Sequence, residues 1–272
     1  MAERLSLIAG SGALVSEVIA GARQRGHQLQ VLSLEGRRTV DGVAAVRFDL
    51  SNPEPALEAM RSFGATIATM AGGLRLSDRQ REGLLRMVSA GTSSAGDTVM
   101  SKLAAKLGER TGARIVGVHE IVPELLAPEG HIAGPEASAR LLERAAFALD
   151  LARRTGHLDL GQAVVVSGRR AVAVEDIAGT DALLKRVATY RRLGFAADGA
   201  SPLVLAKAAK PGQPLFVDLP AIGPKTIPNA RSAGIAIIAV QAGATLLIER
   251  HKLATAAATA RIPVIGLPAA DV

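Results

Sequence analysis

Apolar residues recur along the first half of the chain in two alternating periods, and the switches between them mark out the elements. Leu5 to Ala9 is a short apolar run ending in Gly10-Ser11-Gly12, after which Leu14, Val18, Ile19 and Ala22 follow at helical spacing up to Gly26. Leu29 to Leu34 reads as a second strand and Ala44 to Phe48 as a third. Leu57 to Phe63 reads as a helix, and Thr66 to Met70 as a fourth strand ending at Gly72-Gly73. A helix from Gly96 to Arg110 leads to a strand over Arg114 to Val118. Strand and helix in this order predict a parallel sheet with helices on its faces.

Pro123, Pro128, Gly130, Gly134 and Pro135 crowd the stretch from Val122 to Glu136, which reads as a linker. Beyond it, Ala137 to Arg154 is a long helix with Leu141, Leu142, Ala145, Leu149 and Ala152 on one side. Ala163 to Ser167 and Ala171 to Ile177 are β-rich runs joined by Gly168-Arg169-Arg170, a hairpin signal. Gly179-Thr180-Asp181 opens a helix over Ala182 to Arg192. Further strands are expected at Leu203 to Ala206, Phe216-Val217, Ile235 to Val240, Leu246 to Glu249 and Pro263 to Leu267. Helices are expected around Pro224 to Ala233 and His251 to Ala260. No internal repeat is visible.

Composition narrows the chemistry. With 272 residues, 49% hydrophobic and 21% charged, the chain is globular, with one large or two small domains. It has no cysteine, which removes disulfides, thiolate catalysis and Cys-ligated zinc. Its five histidines (His27, His119, His131, His157, His251) form no HxH or HxxxH pair, so any metal would be a hard cation on oxygen ligands. A formal charge of +7 favours anionic partners. Nucleic acid is not expected, because stacking needs aromatics and the chain has one Tyr, five Phe and no Trp. The apolar N-terminal run is broken by Ser11, Ser16 and Glu17, which suits a strand and helix better than a signal peptide. The longest apolar stretch, Ala233 to Ile248, is interrupted by Gly234, Gln241, Gly243 and Thr245 and is too short to span a bilayer. A soluble cytoplasmic protein is expected.

Several segments could carry chemistry. Gly10, Ser11 and Gly12 form a strand–turn–helix junction whose backbone amides suit a phosphate. As a dinucleotide fingerprint it fails at the third glycine, where Val15 stands, and Glu35 reads equally as a ribose ligand or part of a charged turn. Gln162, at the mouth of an apolar strand, either orients a ligand or satisfies strand-end backbone groups. Thr180 either caps the helix that follows, with Asp181 in its first turn, or marks an anion site at that N-terminus. Asp218 stands among apolar residues before Leu219-Pro220, with Lys207 and Lys210 upstream and Lys225 and Thr226 after it. It reads either as a turn-initiating Asp or as the acid of phosphoryl chemistry on a metal. Glu175, Asp181 and Asp218, if they met, would make an all-oxygen magnesium site.

Five segments carry a family resemblance: LIAGSGAL, GVHEIVPELLAPEG, LDLGQAVVVSG, AVEDIAGTDALLKR, and the stretch from Lys207 to Ile227 that holds VDLPAIGPKTI. In order along nearly the whole chain they resemble the metal-dependent UDP-2,3-diacylglucosamine pyrophosphatases of lipid A biosynthesis, the form unrelated to calcineurin-like phosphoesterases. The resemblance implies a Rossmann-like N-terminal domain, here residues 1–131, and an α/β catalytic domain, here 136–272, with the ligand between them. It implies attack of water on the α-phosphorus, giving UMP and 2,3-diacylglucosamine 1-phosphate, with Asp218 as the acid tied to catalysis. A Mg²⁺ or Mn²⁺ cofactor, a homodimer, and a peripheral place at the anionic inner-membrane surface are expected with it. The sequence departs from the family pattern at Val15, Leu76, Ser77, Thr98, Ala178 and Ala221. A lipid- or nucleotide-binding relative without turnover is therefore the alternative, ahead of an NAD(P)-binding oxidoreductase. Asp176 stands near the Glu that Ala178 replaces.

Overall fold

The structure is a computed structural model that describes residues 2–34, 36–49, 52–73, 96–196, 201–212, 216 and 219–269, the side chains of 96–101 excepted. Glu35, Leu76, Ser77, Val217, Asp218 and the side chain of Thr98 lie outside the described residues. The chain forms two compact units, one from the chain up to Pro123 and one mainly from Glu124 onward.

The first unit runs β1 (Arg4–Ala9), α1 (Ala13–Gln24), β2 (Gln28–Ser33), β3 (Thr39–Val40), β4 (Val43–Arg47), α2 (Glu54–Phe63), β5 (Ile67–Ala71), α3 (Gly96–Thr111), β6 (Arg114–Ile115) and α4 (Val118–Ile121). Its sheet has the order β3-β4-β2-β1-β5-β6, parallel throughout except for β3. The alternation read from the sequence is this α/β layering. Helical spacing puts Val15, Val18, Ile19 and Ala22 on the buried side of α1, and Ala56, Leu57 and Met60 on that of α2. Buried Ser6 is satisfied within the sheet: its hydroxyl donates to Gln30 Oε1 (2.8 Å), and Gln30 Nε2 donates to the Ala59 carbonyl (3.0 Å). Two details differ from expectation. The β3–β4 hairpin turns on Asp41-Gly42, both left-handed (φ 47° and 73°), and this pair is a hairpin signal in its own right. The strand expected over Arg114 to Val118 stops at Ile115, and Val118 begins a helical turn.

The second unit runs β7 (Gly130–Ala133), α5 (Ala139–His157), β8 (Ala163–Ser167), β9 (Arg170–Val174), α6 (Gly179–Arg192), β10 (Leu203–Lys207), β11 (Ala221–Ile222), α7 (Thr226–Ser232), β12 (Ile235–Gln241), β13 (Leu246–Leu247), α8 (Arg250–Ala260) and β14 (Val264–Leu267). Its main sheet has the order β7-β14-β12-β10-β8-β9. The centre, β14-β12-β10, is parallel, and β8, β9 and β7 are antiparallel to their neighbours. Alternate residues serve two cores. Val164, Val166, Val204 and Ala206 pack with Ala145, Ala148, Leu149 and Ala152 of α5. Ala163, Val165 and Leu205 pack with Leu183, Leu184 and Val187 of α6 and with residues of α7 and α8. Lys207 has the parity of Leu205 and therefore belongs to the α6 face.

The boundary between the units falls inside the stretch read as a linker, and the part from Glu124 onward belongs to this unit. β7 pairs antiparallel with β14, His131 facing Ile265. Close main-chain packing accounts for Gly134, where a side chain would strike the Ile262 carbonyl, and for Gly266 of β14, where one would strike the Pro128 carbonyl. Among the described residues no helix is long and apolar enough to cross a membrane.

Candidate active site

Antiparallel register builds the best-defined polar cluster, in the second unit. Lys207, the last residue of β10, is paired with Ala163, the first of β8. Ala163 in turn accepts the Glu175 N–H at its carbonyl (2.8 Å), just past the end of β9. Lys207, Ala163 and Glu175 thus form a row across three strands, with a methyl group in the middle. The two long side chains converge over that methyl, and Lys207 Nζ lies 3.8 Å from Glu175 Oε1, with the side chains only 10% and 11% exposed.

Thr180, in the first turn of α6, completes the group. Its hydroxyl donates to Glu175 Oε1 (2.6 Å) and accepts from Lys207 Nζ (2.8 Å). Glu175 Oε2 accepts the backbone N–H of Gln162 (3.1 Å), whose carbonyl accepts from Ala208 N–H (2.9 Å). Donor capacity is left unfilled here. Thr180 Oγ1 is the one hydrogen-bond partner of the Lys207 ammonium among the described residues, and the buried Gln162 Nε2 has none. An ammonium carries three N–H groups, so this corner has donors left for an anionic oxygen.

The remaining sequence candidates fall in different places. Thr180 does not cap α6: the N-cap position is Ala178, with no side-chain cap bond, and the Thr180 hydroxyl is turned to Glu175. Asp176 closes the loop before α6, accepting the Ala178 N–H (2.9 Å) and Arg186 Nη1 (2.6 Å). The Ala178 amide, and after it the Arg186 guanidinium, hold its carboxyl below the ordinary value. Asp181 Oδ1 accepts from Asn229 Nδ2 (2.8 Å), tying α6 to α7. Thr226 Oγ1 accepts the Gly223 N–H (3.2 Å), fixing the turn that starts α7. Lys210 Nζ donates to Asp159 Oδ1 (2.7 Å). Asp159 and Gln241, whose Oε1 accepts the Ala209 N–H (3.2 Å), went unassigned in the sequence although both hold the Lys207–Lys210 segment.

The described residues do not by themselves fit a metal. No three carboxylate or imidazole side chains among them converge. Both oxygens of Glu175 already accept hydrogen bonds, one of them 3.8 Å from an ammonium that would repel a cation. Asp181 bonds to Asn229 instead of joining Glu175 in a shared group.

In the first unit, the glycine turn is bonded to the segment that follows β5. Gly10 N–H donates to the Ala71 carbonyl (2.9 Å), Ser11 N–H to the Gly73 carbonyl (3.0 Å), and Gly73 N–H back to the Ser11 carbonyl (2.8 Å). Two amides expected to face a phosphate are thereby used by the chain itself, and the Ser11 hydroxyl also donates to Gly73 O (3.1 Å). Gly12 precedes α1 without a side-chain cap. Val15 is buried against Gly72, where any side chain would strike both Val15 and the Ser11 carbonyl. The close approach that a third fingerprint glycine would give is supplied from Gly72 instead.

Fold and site together define a two-unit α/β protein with a nearly buried, donor-rich corner in its C-terminal unit. The chain belongs to the LpxI family: the LpxI N-terminal domain matches residues 4–125 and the LpxI C-terminal domain residues 128–265. A relative from Caulobacter vibrioides, named UDP-2,3-diacylglucosamine pyrophosphatase LpxI, is 32% identical over 281 residues, covering 97% of each chain. A solved structure of an NAD-dependent epimerase/dehydratase from Methylobacillus flagellatus overlays with a TM-score of 0.27 at 12% identity, over 72% of this chain and 74% of that one. That similarity is too low to bear on the chemistry.

Proposed function

We propose that the protein hydrolyses the diphosphate of UDP-2,3-diacylglucosamine to UMP and 2,3-diacylglucosamine 1-phosphate, working as a peripheral homodimer at the cytoplasmic face of the inner membrane. The observation that carries this reading is a nearly buried ammonium with donors to spare, Lys207 Nζ, whose one hydrogen-bond acceptor among the described residues is Thr180, in a chain of this family. A phosphate oxygen would accept from it, and a nearly buried ammonium there stabilises charge that grows on the leaving phosphate. Water attacks the α-phosphorus, the bond from that phosphorus to the bridging oxygen breaks, and the bridging oxygen leaves with the sugar phosphate. We assign the carboxylate that takes the water's proton to Asp218, on the family resemblance. A divalent cation, Mg²⁺ or Mn²⁺, would neutralise the diphosphate and is retained as a requirement of the reaction, with Asp218 as its proposed ligand.

Hydrolysis of the substrate in ¹⁸O-enriched water, followed by mass spectrometry of both products, tests the reading. The label is expected in UMP. Label in the sugar phosphate would place attack at the other phosphorus, and absence of turnover with retained substrate binding would favour the non-catalytic relative. The oxidoreductase alternative lacks its third fingerprint glycine, where Val15 stands.

A further inference from the structure

We propose that two loops of the C-terminal unit, residues 158–161 and 175–178, form an apolar surface that docks the protein on an anionic phospholipid bilayer. Leu158 is 68% exposed, Leu160 55% and Ile177 90%. The loops touch each other: a side chain at Gly161 would strike the Glu175 carbonyl, and the Gln162 N–H is bonded to the Glu175 carboxylate. Leu160 and Ile177 each lie within two residues of that contact. The inference rests on the proposed activity, because a diacylated substrate brings its reacting diphosphate to the water-facing edge of a bilayer.

Charge and size select the partner. Every acid on the two loops is paired: Asp159 with Lys210 (2.7 Å), Asp176 with Arg186 (2.6 Å), and Glu175 with Thr180 and Lys207. No uncompensated carboxylate on these loops opposes an anionic headgroup layer. Three aliphatic side chains can expose between them at most a few hundred Å², whereas a stable protein interface buries about 800 Å² on each partner. Such a patch is too small to hold a second copy of the chain, but it matches the shallow insertion of interfacial segments, where each buried aliphatic group adds to partitioning. The other exposed apolar pair, Leu193 and Phe195, lies past the far end of α6, and Phe195 is in edge contact with Tyr190.

Co-sedimentation of the full chain with sucrose-loaded vesicles of phosphatidylethanolamine and phosphatidylglycerol tests the surface. Wild-type protein is expected to bind. The triple variant Leu158→Ser, Leu160→Ser, Ile177→Asn is expected to partition about tenfold or more weakly, while Leu193→Ser partitions like wild type. The triple variant should still hydrolyse substrate dispersed in detergent at the wild-type rate, which shows that it folds. Equal vesicle binding by the triple variant, or a wild-type dimer that this variant splits into monomers, would overturn the proposal. A wild type that hydrolyses dispersed substrate but stays off vesicles overturns the docking surface alone; one that hydrolyses nothing overturns the activity on which it rests.

Discussion

Lys207 and Glu175 sit two strands apart, yet their charged groups are 3.8 Å from each other because the residue between them is an alanine. Neither charge is well placed to reach bulk water, so each depends on the other. Removing one partner of a nearly buried pair leaves the survivor uncompensated, whereas removing both together costs far less. Lys207→Met is therefore expected to destabilise the protein by about 3–5 kcal/mol, and the double variant Lys207→Met, Glu175→Gln by clearly less. Urea denaturation of the three proteins measures the difference. Equal losses in the single and double variants would show that the pair is not coupled.

Ala163 sets the clearance for that pair. It is fully buried, and any larger side chain would enter the space over which lysine and glutamate converge. Ala163→Leu is expected to cost about 1–3 kcal/mol through overpacking and to raise KM by separating Lys207 from Thr180. Substrate titration together with thermal melting reads both effects. A variant with normal melting and normal KM would mean that the row has slack.

Asp218→Ala should lower kcat strongly while much of the substrate affinity remains, since the acid acts mainly in the transition state. Exhaustive treatment with EDTA should stop the wild-type reaction, and Mg²⁺ or Mn²⁺ should restore it. The checks are steady-state kinetics with equilibrium substrate binding. Undiminished turnover in EDTA counts against the cation, and a wild-type rate in the variant counts against Asp218.

A pH effect is expected in the first unit. Glu54 of α2 accepts from Arg110 of α3 (2.6 Å) and from Arg61 (3.1 Å). The Arg110 bond, and then the Arg61 bond, hold its carboxyl below the ordinary value of 4.5. A lowered folded-state value contributes stability above the unfolded value and loses it as pH falls through the folded one. The melting-temperature advantage of wild type over Glu54→Gln should thus be present at pH 7, shrink below pH 4.5, and diminish with added salt. An advantage that is constant with pH would refute the linkage.

Local signals carried much of the fold. The period switches between Leu5 and Met70 placed β1, α1, β2, β4, α2 and β5, and Gly168-Arg169-Arg170 marked the hairpin between β8 and β9. The segment 122–136 does hold the boundary between the units, at Pro123–Glu124, but composition could not show that the rest of it folds into the second unit, where β7 pairs with β14 and Gly134 lets the backbone touch Ile262. Thr180 was legible as a polar residue at a helix start, but its partner was not. Its hydroxyl answers to Lys207, which is 27 residues away. Glu175, Thr180 and Lys207 could each be singled out in the sequence, while the contact among them depends on antiparallel register. Register is set by how β8, β9 and β10 bury alternate residues in two cores, and no single segment contains that information.

The stitching of Ser11 to Gly73 bears on what this fold can become. Side chains at a ligand crevice are exchanged one codon at a time, so a pocket plugged by a phenylalanine reopens with one substitution. Here the Gly10 and Ser11 amides are held by peptide carbonyls, and the genetic code offers no single exchange that deletes a carbonyl. Descendants of this chain can therefore drift widely in the residues around the turn while these two amides stay engaged.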